Sequence, residues 1–597
     1  MHHFPRLLGA LLLATALSAE PGAVAHHAAA ARPSATVRRW MKGMTLREEV
    51  GQLVFVAFPG AAPNVRSREY LRFVRLIRDL RVGGLILTNV ANGRTIPHAE
   101  PYALAAFLNR VQRIAKVPLL VGADFERGAS MRVANTTAFP HAMAFGAAGD
   151  PALSRFEGQV TAREARALGV HWVYYPVADV NINPDNPVLN IRSFGEDPHA
   201  VAAQVAAFIE GAHSDPRNYV LTTAKHFPGH GDTSVDSHLN LATLGASRER
   251  MESVELVPFR AAIAAGTDAV MTAHLAVPAL APADLPATLS PAILTGLLRD
   301  ELGFKGLVIT DALEMGGIAK AFPPGDAAVR AILAGADTLL MPSDPDAAIR
   351  AVVAAVEDGR IPRRRIDESV GKILAAKEKV GLDRKRLVDI EGLGDVLNAP
   401  EANEKALEVA ERAVTLVRNQ GDLLPLAAPA RACFVVLAES RDSNEGLEFS
   451  QEVRARLPHT APTMLDTSHS RADVDAALAR LTSCETFVVA AFASVTAYQG
   501  SLSLGGDLPH AMETLLGTSK PVALVALGNP YLLRSFPAVA AYLATFSSVP
   551  TSETAAVRAL WGEIGIRGHL PVSIPGLAAR GDGIELKAAP AGRPVAP

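Results

Sequence analysis

Only two cysteines, Cys433 and Cys484, occur in the 597 residues of this chain. Two are too few for a disulfide framework or for a cysteine-based zinc cluster. Both lie in apolar surroundings, so they read as core residues or as a single bridge. No block of like charge is present. Lys and Arg number 58 against 61 Asp and Glu, a formal net charge of −3, which leaves no electrostatic footprint for nucleic acid or an anionic membrane. No phosphate-binding glycine fingerprint accompanies Gly528-Asn529-Pro530, so no nucleotide cofactor is implied. Internal repeats are lacking too. A small substrate, neutral or weakly charged, fits this composition best.

The apolar run Leu7–Leu17 is eleven residues long, short of the ~20 a membrane-spanning helix needs. Arg6 precedes it, and small residues follow at Ser18-Ala19 and Ala23-Val24-Ala25. This is the pattern of a signal peptide over residues 1–25, and it predicts a periplasmic or secreted protein without an integral membrane segment after cleavage.

Length calls for more than one domain. Apolar β-type runs recur at 53–58, 83–88, 118–124, 172–179, 221–227, 268–274, 306–312 and 338–344, with helical patterns between them. Eight near-continuous apolar strands alternating with helices predict a parallel (β/α)8 barrel over 36–385. A linker is expected at 386–400. A smaller C-terminal α/β sandwich domain is expected over 401–597, opening with a helix at 401–418 and continuing through four strands.

Polar residues end many of these runs: Asp124, Asp179, His226, His274, Asp311 and Asp344. Any one could cap a helix. Six at equivalent places point to the barrel's C-terminal rim, where such folds carry their active sites. The densest stretch is Lys225-His226-Phe227-Pro228-Gly229-His230-Gly231-Asp232-Thr233-Ser234-Val235-Asp236-Ser237-His238. Glycines flank His230 and suggest a loop able to move it, with Asp232 near enough to orient its ring. Imidazole suits a group that gives and retakes a proton near neutrality. Metal binding through the same histidines and aspartates is the competing chemistry.

That stretch resembles the signature of the β-N-acetylglucosaminidase branch of glycoside hydrolase family 3. The resemblance spans residues 38–580 and implies a retaining exo-β-N-acetylglucosaminidase without metal or other cofactor. It implies His230 as acid/base with Asp232 as partner, and Asp311, in Gly306-Leu307-Val308-Ile309-Thr310-Asp311, as nucleophile. It further implies sugar contacts from Asp124, Arg132, Arg192, Lys225, His226 and His274. The implied partner is an N-acetylglucosamine-containing oligosaccharide or a cell-wall muropeptide. Phosphorolysis and β-glucosidase activity are the rivals within the family, and a catalytically silent sugar-binding protein is the rival outside it. One departure stands out: Arg127 occupies a place where a glycine is common in the family.

Overall fold

In a computed structural model of the chain, residues 33–89, 97–494 and 503–589 are described. The expected signal peptide lies outside them. No helix among the described residues is long and apolar enough to cross a membrane.

Eight parallel strands form the first body: β1 (Val54–Phe58), β2 (Gly84–Leu87), β3 (Leu120–Ala123), β4 (Trp172–Val173), β5 (Leu221–Phe227), β6 (Ala269–Thr272), β7 (Leu307–Ile309) and β8 (Leu339–Leu340). They pair in that order, β8 returns to β1, and a bridge between Ile309 and Thr338 joins β7 to β8. The sheet is therefore a closed (β/α)8 barrel. Strand residues are almost all buried, as expected where side chains fill the interior on one face and helices cover the other.

The helices start and stop on local chemistry. Asp150 accepts the Ala152 amide ahead of Pro151–Leu168, and Gly169 ends that helix in the left-handed region. Asp197 does the same for Pro198–His213. The helical pattern between the apolar runs at 221–227 and 268–274 is two helices, Arg248–Ser253 and Val257–Ala264. Pro258 lacks the amide a continuous helix would need there.

Residues after the barrel are not a free tether, because Asn109 clasps Val388 through both main-chain groups, at 2.6 and 2.9 Å. The second body is a six-stranded sheet: β9 (Thr415–Asn419), β10 (Ala432–Ala438), β11 (Thr463–Asp466), β12 (Thr486–Ala493), β13 (Val522–Gly528) and β14 (Ala541–Ala544). Its order is β9-β14-β13-β12-β10-β11, with only β9 antiparallel to its neighbour. Helices cover both faces, one layer including Leu447–Arg456 and Pro550–Leu560, the other Leu508–Leu516. The helix expected over 401–418 ends at Ala413. Val414, Thr415 and Val417 favour extended chain, and β9 pairs instead with β14. Two strands are thus added to the four expected. Cys433 and Cys484 form a disulfide between β10 and the start of β12, with Cα atoms 5.6 Å apart.

Candidate active site

The C-terminal ends of the barrel strands carry a connected set of charges. Lys225, at the end of β5 and 2% exposed, donates to Asp124 Oδ1 (2.9 Å) and lies 2.7 Å from Glu126 Oε1. Arg192 clamps Glu126 with two bonds of 2.8 and 2.7 Å, and Arg132 reaches Asp124 Oδ2 at 3.2 Å. Burial would raise the carboxyl pKa values, but the neighbouring cations outweigh it. Arg192 and Lys225 hold Glu126 well below its ordinary range, while Lys225 and Arg132 hold Asp124 lowered. Both acids are fixed as anions, able to accept hydrogen bonds from hydroxyls.

Asp179, fully buried after β4, organises the next layer. Its Oδ2 accepts from the His226 amide (3.1 Å) and Nδ1 (2.8 Å), and its Oδ1 accepts from the His230 amide (2.7 Å). Nε2 of His226 is thereby left as the ring's remaining polar atom. His274 donates Nε2–H to the Ala312 carbonyl at 2.9 Å, so Nδ1 accepts from Thr288 Oγ1 at 2.8 Å. That contact ties β6 to the segment after β7.

Asp311 follows β7 and is partly exposed at the mouth. Its Oδ1 accepts the Ala312 amide at 2.7 Å. Burial works against ionisation, yet His274, His226 and His238 nearby, together with that amide, keep the pKa below its ordinary value. An ionised, partly exposed carboxylate among imidazoles is a competent nucleophile toward an anomeric carbon.

The expected His230–Asp232 pair does not form. His230 is 2% exposed, and its ring nitrogens contact Thr233 Oγ1 (2.7 Å) and Ser237 Oγ (2.9 Å). Burial lowers its pKa to about 4, so at neutral pH the ring is uncharged, one nitrogen donating and the other accepting, rather than an imidazolium acid. Asp232 turns away to Arg250, 3.2 Å distant. Nor do the flanking glycines serve motion. A Cβ on Gly231 would stand 1.7 Å from the Val180 carbonyl oxygen, and Gly229 has φ +131° against Glu255. They are glycines because the backbone packs too closely for anything larger.

Six residues further on, the chain makes the arrangement a proton donor needs. Asp236 Oδ1 accepts both the His238 amide and His238 Nδ1, each at 2.8 Å. The Asp236 carboxylate is buried, while the His238 side chain remains 21% exposed. The carboxylate fixes the orientation and the tautomer of the imidazole through Nδ1. The Gly316 amide donates to the His238 carbonyl (2.9 Å) and that of Gly317 to the Ser237 carbonyl (3.2 Å), which joins this loop to the segment after Asp311. Asp236-Ser237-His238 stood in the sequence stretch, but glycine flanking drew attention to His230 instead. Asp179 was expected at the rim without a role, and Glu126 was missed as a site residue, because a buried carboxylate announces its task only through its partners. Asp344, expected at the rim, is an N-cap whose side chain accepts the Ala347 amide. No group of three or more His, Cys, Asp or Glu among the described residues is arranged to hold a metal ion.

The second body borders this mouth. Asn181 donates to Tyr531 Oη (3.0 Å), Asn190 to Asn529 Oδ1 (3.1 Å), and Ser573 donates twice to Glu196, at 2.8 and 2.6 Å. His141 contacts Ser547 Oγ through its amide and its ring. Loop 181–197, which carries Arg192, is therefore held from both domains.

A closed barrel with paired acids and an oriented imidazole on its C-terminal rim, followed by an α/β domain, defines a glycosidase-type architecture. Residues 45–376 match the glycosyl hydrolase family 3 N terminal domain, and the chain belongs to that family of glycoside hydrolases. It is 32% identical over 570 residues to a β-N-acetylglucosaminidase/β-glucosidase of Cellulomonas fimi, covering 90% of this chain and 95% of the relative. It is 30% identical to β-hexosaminidase A of Pseudoalteromonas piscicida, covering 84% and 90%. The solved structure of a family 3 β-N-acetylglucosaminidase from Paenibacillus sp. str. FPU-7 superposes with TM-score 0.79 at 33% identity, covering 89% of this chain and 99% of that one.

Proposed function

We propose that this enzyme is a retaining exo-β-N-acetylglucosaminidase in which Asp311 is the nucleophile and His238, oriented by Asp236, is the acid/base. The observation that carries the reading is the Asp236–His238 hydrogen bond, on a loop joined through its backbone to the segment after Asp311. In the first step Asp311 attacks the anomeric carbon while His238 Nε2 gives its proton to the departing glycosidic oxygen. A glycosyl ester forms on Asp311 and the aglycone leaves as an alcohol. In the second step His238 takes a proton from water, which attacks the same carbon and releases the sugar with its anomeric configuration retained. Asp236 stabilises the imidazolium in the first step and holds the tautomer in the second. Asp124, Lys225, Arg132, Arg192 and His226 border the ring position and supply charged or polar contacts for hydroxyls, whereas the buried His274, with both ring nitrogens engaged, braces the segment after Asp311 instead of touching the sugar. The names of the Cellulomonas, Pseudoalteromonas and Paenibacillus relatives support an acetamido sugar as substrate. The natural substrates proposed are N-acetylglucosamine-containing oligosaccharides or muropeptides. A periplasmic or secreted location is supported by the N-terminal pattern and by a disulfide, a bond that persists in oxidising compartments.

The test is release of p-nitrophenol from its β-N-acetylglucosaminide and its β-glucoside, with NMR of the first sugar released. Preference for the acetamido sugar with retention of configuration, lost in Asp311→Ala, is expected. Inversion, or full turnover by Asp311→Ala, overturns the assignment. A rate that depends on added phosphate moves the second step from hydrolysis to phosphorolysis.

A further inference from the structure

On the β3 side of the mouth, away from Asp311, Asp124 and Glu126 stand among Lys225, Arg132, Arg192 and Arg127, two acids against four bases. Three of those cations are spoken for, Lys225 and Arg192 by Glu126 and Arg132 by Asp124. Arg127 is the exception. Its guanidinium makes no hydrogen bond or ion pair with any described residue, although the side chain is only partly exposed. Glu126, the one acid acting on it, is already occupied by a bidentate arginine and a lysine. Nor do the internal stretches outside the described residues hold a counter-ion, because 90–96 and 495–502 contain no Asp or Glu. Its surroundings are otherwise cationic or neutral: Arg132 beside it, with His98 and His141 within electrostatic reach.

Where this arginine stands relative to the sugar follows from the barrel. Asp311 follows β7 and Asp124 follows β3, and in an eight-stranded ring these strands stand diametrically opposite. A pyranose whose anomeric carbon lies over Asp311 therefore directs C4, and the exocyclic C6 beside it, toward β3. Arg127 is three residues beyond Asp124, and it lies within electrostatic reach of Glu126 and Arg132, which belong to the same charge cluster. We propose that Arg127 receives an oxyanion ester, sulfate or phosphate, carried on the C4–C6 end of the terminal sugar, so that acidic N-acetylhexosaminides are the preferred substrates. The inference rests on the activity proposed above for the same site and adds its substrate class. The planar guanidinium matches the paired oxygens of such an ester, and it is already partly dehydrated. Burial and the adjacent Arg132 lower the Arg127 pKa to about 10, which leaves it protonated at neutral pH and in want of an anion. Overall composition, with a net charge of −3, points to a substrate of little charge; the one guanidinium on the β3 side without an ion pair points to an anionic one.

Wild type, Arg127→Gln and Arg127→Lys would be compared on p-nitrophenyl β-N-acetylglucosaminide and on its 6-O-sulfate and 6-O-phosphate at low salt. Wild-type kcat/KM is expected to favour at least one ester by about 10-fold or more, the scale of one charge-assisted contact. That preference should shrink toward unity in the Gln variant and survive in part in the Lys variant. Which ester gains most separates sulfate from phosphate as the source of the anion. A parallel arm measures binding of N-acetylglucosamine and its 6-sulfate and 6-phosphate by calorimetry to wild type and Arg127→Gln. Equal or poorer turnover and binding of both esters by wild type overturns the proposal, as does an ester preference untouched in Arg127→Gln. If no aryl glycoside is cleaved, the proposed activity fails, and the calorimetry alone decides the role of Arg127.

Discussion

At the barrel mouth, buried acids meet fixed cations: Glu126 and Asp124 share Lys225 and take one arginine each. In the C-terminal domain, Glu439, Glu445 and Glu553 meet main-chain amides instead, and Glu445 accepts from the Ser443 hydroxyl as well (3.1 Å). Glu439 accepts from Ser494, Glu445 from Glu439 (2.8 Å) and Glu553 from Phe449 (2.7 Å). Burial raises Glu439 to about 7, with Glu445 adding repulsion, and raises Glu553 to about 7. At the mouth the carboxyls are pushed down and in the second domain they are pushed up, at comparable burial. A buried carboxylate with a cation keeps its charge at any working pH, whereas one held by amides alone is poised to take a proton. Chemistry has been placed where the charges do not fluctuate.

The largest effect expected is at the mouth itself. Asp311→Ala should lower kcat by on the order of 10^4–10^6, the cost of losing a nucleophile that acts with its partners as a unit. His238→Ala should lower kcat by about 10^2–10^4. It should lower it more for a poor leaving group such as an alkyl alcohol than for p-nitrophenol, which departs without a proton. His230→Ala is the counter-test. If it changes the pH profile and leaving-group dependence as His238→Ala does, the proton donor has been assigned to the wrong histidine. Loss of stability with the leaving-group dependence intact supports the buried, neutral role.

Gly316→Ala comes next, with kcat expected to fall by about 10-fold, the scale of modest misplacement of reacting groups. Its Cβ would stand 2.4 Å from the Leu239 carbonyl oxygen and 2.8 Å from that of His238, so the donor loop must shift relative to Asp311. Unchanged kcat would mean that the backbone contact does not govern their spacing.

In the second domain the readout is stability. Replacing Cys433 and Cys484 together with Ser opens a loop of 51 residues and should cost about 4 kcal/mol by chain entropy, seen as a lower melting temperature. The smallest effect is the proton-linked one. Below the ordinary value of 4.5, Glu439 and Glu553 are neutral in folded and unfolded chains alike, and their stabilising contribution is complete. As pH rises toward about 7 the unfolded chain ionises first, so stability drains away and the loss is complete above the folded pKa. Glu439→Gln should flatten denaturant-monitored stability between pH 5 and 8, by about 1–3 kcal/mol. A slope unaltered by that substitution would break the contrast between the two regions.

Much of this was legible in the sequence. Eight apolar runs gave the barrel because strands buried on both faces carry no polar interruption, and their last residues marked the rim. Proximity in sequence misled at His230. Asp232 is two residues away yet faces Arg250, because Gly231 packs against the Val180 carbonyl and fixes the turn. Asp236 and His238 have the same separation, and there the Asp236 carboxylate accepts both the His238 amide and its ring. The order of the two residues is the local difference: only an Asp that precedes the His by two can accept the main-chain amide two residues on. The strand β9 was hidden for another reason, since its partner β14 lies more than 120 residues away.

The bonds from Asn529, Tyr531 and Ser573 to loop 181–197 bear on how the enzyme is born. Domains fold as units in the order of synthesis, at about 5–20 residues per second. Arg192 is made 381 residues ahead of Ser573, so roughly 20–80 s separate the loop from its last partner. Throughout that interval the barrel can close around its core with one wall of the mouth unbraced. Completion of the site thus awaits the emergence of the second domain, at the ribosome or after export, and truncation within that domain is expected to leave the mouth without these bonds.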